Sequence, residues 1–84
     1  MSEVGQMYYI YILKLSDNSL YMGYSSNLKQ RIKKHNYGSV ESTKNHRPIK
    51  LIYYSAFSTQ KKATNFEKYL KSGSGRAFIK KHFM

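Results

Sequence analysis

The sequence runs to 84 residues without a cysteine and carries fifteen lysines and arginines against four acidic residues, a net charge of +11. That length supports one domain with a modest core, and the missing thiols exclude disulfide staples, cysteine zinc sites and thiol nucleophiles, which makes a reducing cytoplasm the natural setting. So large a positive excess repels itself in a compact chain and implies an anionic partner, nucleic acid ahead of a membrane surface, because a phosphate backbone offers dense charge and binding releases counterions.

Residues 1–6 read as a loose leader. From Tyr8 to Leu15 the run Tyr-Tyr-Ile-Tyr-Ile-Leu-Lys-Leu is aromatic and β-branched and predicts a strand. It is too short to span a bilayer and no basic residues precede it, so neither a signal peptide nor a membrane anchor is expected. Ser16, Asp17 and Asn18 form a turn cluster, and Leu20–Tyr24 predicts a second strand, completing a hairpin. A three-residue loop ending in a left-handed Asn18 pairs Leu15 with Ser19, Leu13 with Tyr21 and Tyr11 with Gly23. In that register Tyr11 and Tyr21 leave the same face as diagonal neighbours, with α-carbons about 7–8 Å apart. A loop of two or four residues would throw them onto opposite faces. Gly23, opposite Tyr11, leaves a gap where another group can approach the backbone closely.

Ser25, Ser26 and Asn27 are N-cap residue types, and Leu28–His35 predicts a helix ended by Asn36-Tyr37-Gly38. Leu28 and Ile32 supply its buried stripe, while Arg31 and His35, four apart, share a flank of it. Residues 38–48 predict a polar, basic loop, with Pro48 opening the next segment. Leu51–Phe57 predicts the third strand. Ser58 or Thr59 caps a second helix that runs to about Lys71, then Ser72-Gly73-Ser74-Gly75 predicts a linker and Arg76 to His82 a short basic tail helix. The order is β-β-α-β-α-α: an α+β fold in one domain over 1–84, core about 8–83, with a small three-stranded antiparallel sheet flanked by helices.

The second helix holds an anomaly. Ala63, Phe66 and Leu70 follow the spacing of a buried face, and Glu67 falls on that same face. A carboxylate at the edge of an apolar stripe is costly unless it is paired or binds a metal. The plain alternative is a salt bridge to Arg31 or to a lysine. Arg31 and His35 read, taken alone, as two solvated residues on a basic helix. His46 and His82 lie in polar surroundings, His46 in a loop within reach of a substrate. Tyr8, Tyr9, Tyr53, Tyr54 and Tyr69 read as core or sheet-surface residues with the hydroxyl at the edge. The Gly/Ser stretch with Arg76 could cradle a phosphate through exposed N–H groups, although such a stretch is more often a cap and linker.

Tyr9-Ile10-Tyr11 and Tyr21-Met22-Gly23, with nine residues between them, resemble the paired signature of the GIY-YIG nuclease family. Arg31 on the next helix, His35 one turn later and Glu67 on the later helix resemble its further marks. The resemblance extends from about Tyr8 to Phe83 and is greatest to the stand-alone, single-domain bacterial branch. It implies metal-dependent phosphodiester hydrolysis with Tyr11, Tyr21, Arg31, His35 and Glu67 as the catalytic set, meeting in one open cleft. By the same resemblance Glu67 holds one Mg²⁺ or Mn²⁺, Arg31 the scissile phosphate, and Tyr11 acts as general base or orients the attacking water, with Tyr21 bonding in the same pocket. Gly23, Ser25, Lys34, His46, Arg47 and Arg76 are the substrate-binding candidates. The sequence departs from the pattern at Tyr9 and Met22, and no asparagine follows the Glu67 helix where many active members carry one. The expected partner is nucleic acid, DNA ahead of RNA, branched or single-stranded, with a protein partner as one source of specificity. The alternatives are a non-catalytic basic nucleic-acid binding module on the same fold and a protein-docking domain, against which the charge argues.

Overall fold

A computed structural model describes residues 5–83. Of the leader expected at 1–6, residues 1–4 lie outside the described residues, and the Gln6 side-chain amide donates to the Ser26 carbonyl at 2.8 Å. The aromatic and β-branched run forms β1 (Tyr8–Lys14), and the chain returns as β2 (Leu20–Ser25). Asn18 takes the left-handed conformation, φ 70°, and its N–H donates to the Leu15 carbonyl while the Leu15 N–H donates to the Ser19 carbonyl, both at 2.9 Å. That loop sets the expected register, with Leu13 opposite Tyr21 and Tyr11 opposite Gly23.

On the other side β1 pairs with β3 (Lys50–Phe57), so the antiparallel order is β2-β1-β3 and β1 is central. A central strand covered on both faces is sealed from water, and Ile10 through Leu13 are fully buried. The register slips between Ile12 and Leu13, where Tyr53 and Leu51 are the partners, leaving Ile52 as a bulge in β3.

Each face of the sheet has its own cover. Ile10 and Ile12 pack on Ala63 and Leu70 of α2 (Gln60–Leu70) and on Ile79 of α3 (Gly73–Phe83). Tyr11, Leu13 and Leu15 pack on Leu28 and Ile32 of α1 (Leu28–Tyr37), as the alternation along β1 requires. Among the described residues no helix is long and apolar enough to cross a membrane.

The helix ends follow their local chemistry. Asn27 caps α1, its side-chain oxygen accepting from the Gln30 N–H at 3.1 Å. The helix runs two residues past His35 because the left-handed stop is Gly38, φ 83°. Thr59, not Ser58, caps α2 through the Lys62 N–H at 3.2 Å. The largest departure is at the expected linker: Ser72-Gly73-Ser74-Gly75 is the start of α3 itself. The Ser72 hydroxyl accepts from the Gly75 N–H at 3.2 Å and its carbonyl from the Arg76 N–H at 2.9 Å. Gly75 is buried, and a Cβ there would overlap the backbone of Tyr69 and Leu70 at the end of α2. The glycine serves helix-to-helix approach rather than flexibility.

Candidate active site

The site grows from the middle of β1. Tyr11 projects toward α1, and its ring lies across Gly23 on the neighbouring strand, where a Cβ would overlap the phenol. The gap expected beside Gly23 is therefore filled by Tyr11. Its hydroxyl lies 2.8 Å from His35 Nε2, and Arg31 Nε donates to the same oxygen at 3.4 Å. On the far side of the imidazole, Nδ1 lies 2.7 Å from the Thr43 hydroxyl.

One neutral tautomer of His35 lets the phenol donate. Arg31 can only donate, so the Tyr11 hydroxyl proton has a single acceptor within reach, His35 Nε2. That leaves Nδ1–H to donate to Thr43 Oγ1. Every buried side-chain polar atom among the described residues is satisfied. The line Arg31–Tyr11–His35–Thr43 joins β1, two successive turns of α1 and the loop after it. Tyr21 completes the cluster, its ring centroid 6.4 Å from that of Tyr11 and 5.4 Å, edge-on, from that of His35.

Burial dominates the electrostatics. It raises the pKa of Tyr11 above 10.0, against the lowering effect of the Arg31 hydrogen bond and charge. It lowers that of His35 below 6.5, and the Arg31 charge adds to the same effect. The Tyr11 hydroxyl in turn holds the Arg31 proton more tightly. The resting site is a neutral phenol and a neutral imidazole beside a fixed cation.

Glu67 stands apart from this chain of bonds. It lies on α2, its side chain 24% exposed, and pairs with Lys71 Nζ at 3.4 Å one turn on. Its negative charge reaches Tyr11, as the smallest of the influences raising that phenol. Among the described residues no three His, Asp or Glu side chains gather. The expected open cleft is thus a different shape: Tyr11 and His35 are sealed, while Tyr21, Arg31 and Glu67 are partly exposed.

The other candidates divide. Ser25, Arg31 and Lys34 line one polar cavity of about 130 Å³ at the start of α1. His46 faces the hairpin turn instead, Nδ1 lying 3.8 Å from Asp17 Oδ2. Arg47 folds back over Gly38 and donates to the carbonyls of Lys44 at 2.9 Å and Asn36 at 3.3 Å. Arg76 is exposed in the first turn of α3, where Ser72 takes the Gly75 and Arg76 N–H groups as a helix cap. Thr43 was not legible beforehand. A threonine in a polar loop eight residues after His35 carries no spacing signal, and only the fold buries it.

Residues 7–81 match the family model described as the GIY-YIG catalytic domain. A UPF0213 protein of Clostridium perfringens is 44% identical over 66 residues, covering 77% of this chain and 71% of that protein. A UPF0213 protein of Staphylococcus haemolyticus is 40% identical over 74 residues, covering 87% and 90%. The solution NMR structure of a UPF0213 protein of Bacillus halodurans shares 32% identity and superposes with a TM-score of 0.55, over 87% of this chain and 81% of that one. The match runs through every element from β1 into α3, and on that breadth the chain belongs to the GIY-YIG family of nucleases, beside the single-domain UPF0213 proteins of bacteria.

Proposed function

We propose that this protein is an endonuclease that hydrolyses phosphodiester bonds of nucleic acid with one Mg²⁺ or Mn²⁺ ion, acting on branched or single-stranded DNA. The observation that carries this reading is the hydrogen-bonded line from Arg31 through Tyr11 and His35 to Thr43. It joins a cation able to bind phosphate to a proton path between buried groups whose protonation the fold perturbs, which is the pattern of a functional site.

Glu67 is the residue that would hold the ion. A lone, partly exposed carboxylate suits Mg²⁺, which commonly takes one or two carboxylates and fills its shell with waters and substrate oxygens. Lys71 is no barrier, since an exposed pair of this kind contributes only about 0–1 kcal/mol. When bound, the ion supplies charge neutralisation at the phosphate and its leaving oxygen.

The rest is the work of the chain. In the resting state the Tyr11 hydroxyl meets no solvent, and its longest bond is the one to Arg31, at 3.4 Å. Drawing the guanidinium onto a phosphate uncovers that hydroxyl and sets the scissile group beside it. Tyr11 then accepts a proton from the attacking water as it passes its own to His35 Nε2. Thr43 keeps Nδ1–H bonded throughout, so the ring presents the correct nitrogen. The phosphate charge offsets the cost of an imidazolium formed beside Arg31. Tyr21, against both rings, holds them in place.

Two features favour the second reading, a basic module that binds nucleic acid without cutting it: the Glu67–Lys71 pair and the missing asparagine after the Glu67 helix. One experiment separates the two. Wild type is expected to cut branched or single-stranded DNA only with Mg²⁺ or Mn²⁺, and Glu67→Ala to lose roughly 100-fold or more, the scale of removing one charge-stabilising group. Equal cutting by both proteins ends the assignment. Salt-sensitive binding with no cutting under either metal establishes the binding module.

A further inference from the structure

A cavity of about 560 Å³ between α1 and the sheet has no part in the hydrolytic scheme. Leu28 and Ile32 of α1 line it together with Tyr9 of β1 and Tyr54 of β3, and Lys29 and Lys33 stand on its border. Tyr9 and Tyr11 are alternate residues of one strand and so leave the same face. Tyr54 is the cross-strand partner of Tyr11. The Tyr9 and Tyr54 rings lie 6.3 Å apart, and Tyr54 is 54% exposed on a strand with an unpaired edge. An aromatic ring half in solvent at the mouth of an apolar slot is surface that a flat apolar ligand would cover.

The position of the slot identifies that ligand. Ser26 and Asn27 line both this cavity and the polar one that holds Arg31 and Lys34, so the two cavities flank the β2–α1 junction. One is cationic, the other aromatic with a lysine border. A nucleotide has the same division, an anionic phosphate joined to a flat base with two stacking faces. The geometry points to the larger cavity as a receptor for one unpaired base of a nucleic-acid strand, stacked on the Tyr54 ring with Tyr9, tilted 58° to it, against its edge, and with adjoining phosphates on Lys29, Lys33 and the Arg31–Lys34 cavity. A base inside a duplex is stacked on both sides and cannot enter, so the slot selects single-stranded or locally unpaired substrate. This inference rests on the nucleic-acid reading above and narrows it.

The test is binding without divalent metal, where cutting plays no part. Affinities of wild type, Tyr54→Leu and Tyr54→Phe are measured by fluorescence anisotropy for a single-stranded oligonucleotide and for its duplex. Both replacements are apolar, and only one keeps a ring. Tyr54→Leu is expected to weaken single-strand binding about 5- to 100-fold, the range for loss of one base-stacking contact, and to leave duplex binding unchanged. Tyr54→Phe retains wild-type affinity. The salt dependence of single-strand binding is unaltered by Tyr54→Leu, whereas Lys33→Ala lowers its slope by about 0.7, the value for one phosphate contact. The slot assignment is overturned if Tyr54→Leu binds single strands as wild type does, or loses single strand and duplex alike. Should wild type bind neither form, the nucleic-acid reading falls with it. Should binding and metal-dependent cutting persist with no effect of Tyr54→Leu, the slot alone falls.

Discussion

His35 owes its neutrality to what surrounds it. Its ring is sealed from water, its two nitrogens are taken by Tyr11 and Thr43, and the nearest charge is the cation of Arg31. The consequence for stability has a definite sign. The folded-state pKa lies below the ordinary 6.5, so in the window from 6.5 down to the folded value the unfolded chain binds more protons than the native one. Stability is therefore complete above pH 6.5 and declines as pH falls through that window. The melting temperature is expected to drop between pH 7.5 and pH 5.5. The drop should survive in a His46→Gln/His82→Gln variant, whose one remaining histidine is His35. A flat profile in that variant would show that the fold leaves the imidazole at its ordinary value, and a melting temperature that rises toward pH 5.5 would show that the fold favours the charged ring. The same reasoning explains the placing of Tyr11. Burial holds it neutral, so the proposed reaction uses it as a proton conduit toward His35 rather than as a standing phenolate.

At the scale of elements, the instructive case is α3. Glycine and serine in alternation favour disorder when nothing constrains them. Here Ser72 supplies the cap for the first turn and Gly75 lets that turn meet the end of α2. Substituting Gly75→Ala puts a methyl group into the Tyr69 backbone, and overpacking of this kind costs roughly 1–3 kcal/mol. A domain of this size then melts lower by roughly 4–8 °C per kcal/mol, readable by circular dichroism. An unchanged melting temperature would restore the linker description. The loop after α1 follows a similar logic. Arg47, one of the substrate-binding candidates, is bound to the carbonyls of Lys44 and Asn36 and packs over Gly38, so its guanidinium ties the loop to the helix end that carries His35.

Over the whole molecule the decisive quantity is the net charge of +11 on 84 residues. The described Lys–Glu salt bridges, Glu41–Lys44 and Glu67–Lys71, each involve at least one exposed side chain and offset little of the repulsion. Added salt screens the like charges, so the melting temperature is expected to rise between low ionic strength and about 0.3 M NaCl, where the screening length falls below 10 Å. Nucleic-acid binding should weaken over the same range, because the counterions released on binding then return to a more concentrated solution. A melting temperature that falls with salt would mean that the surface pairs outweigh the repulsion.

Much of this was legible in the chain itself. Strand alternation with a three-residue turn is enough to bring Tyr11 and Tyr21 onto one face, and helical spacing is enough to put Arg31 and His35 on one flank, because both are local geometries with fixed periods. What the local periods cannot carry is which distant segment comes to rest on those groups. Thr43 behind His35, Arg47 folded over Gly38 and the slot under Tyr54 all arise where separate segments pack together. Burial is a property of that packing, and burial is what keeps phenol and imidazole uncharged. Tertiary structure alone therefore decided the protonation of the site, whereas the residues that compose it were already set out along the chain.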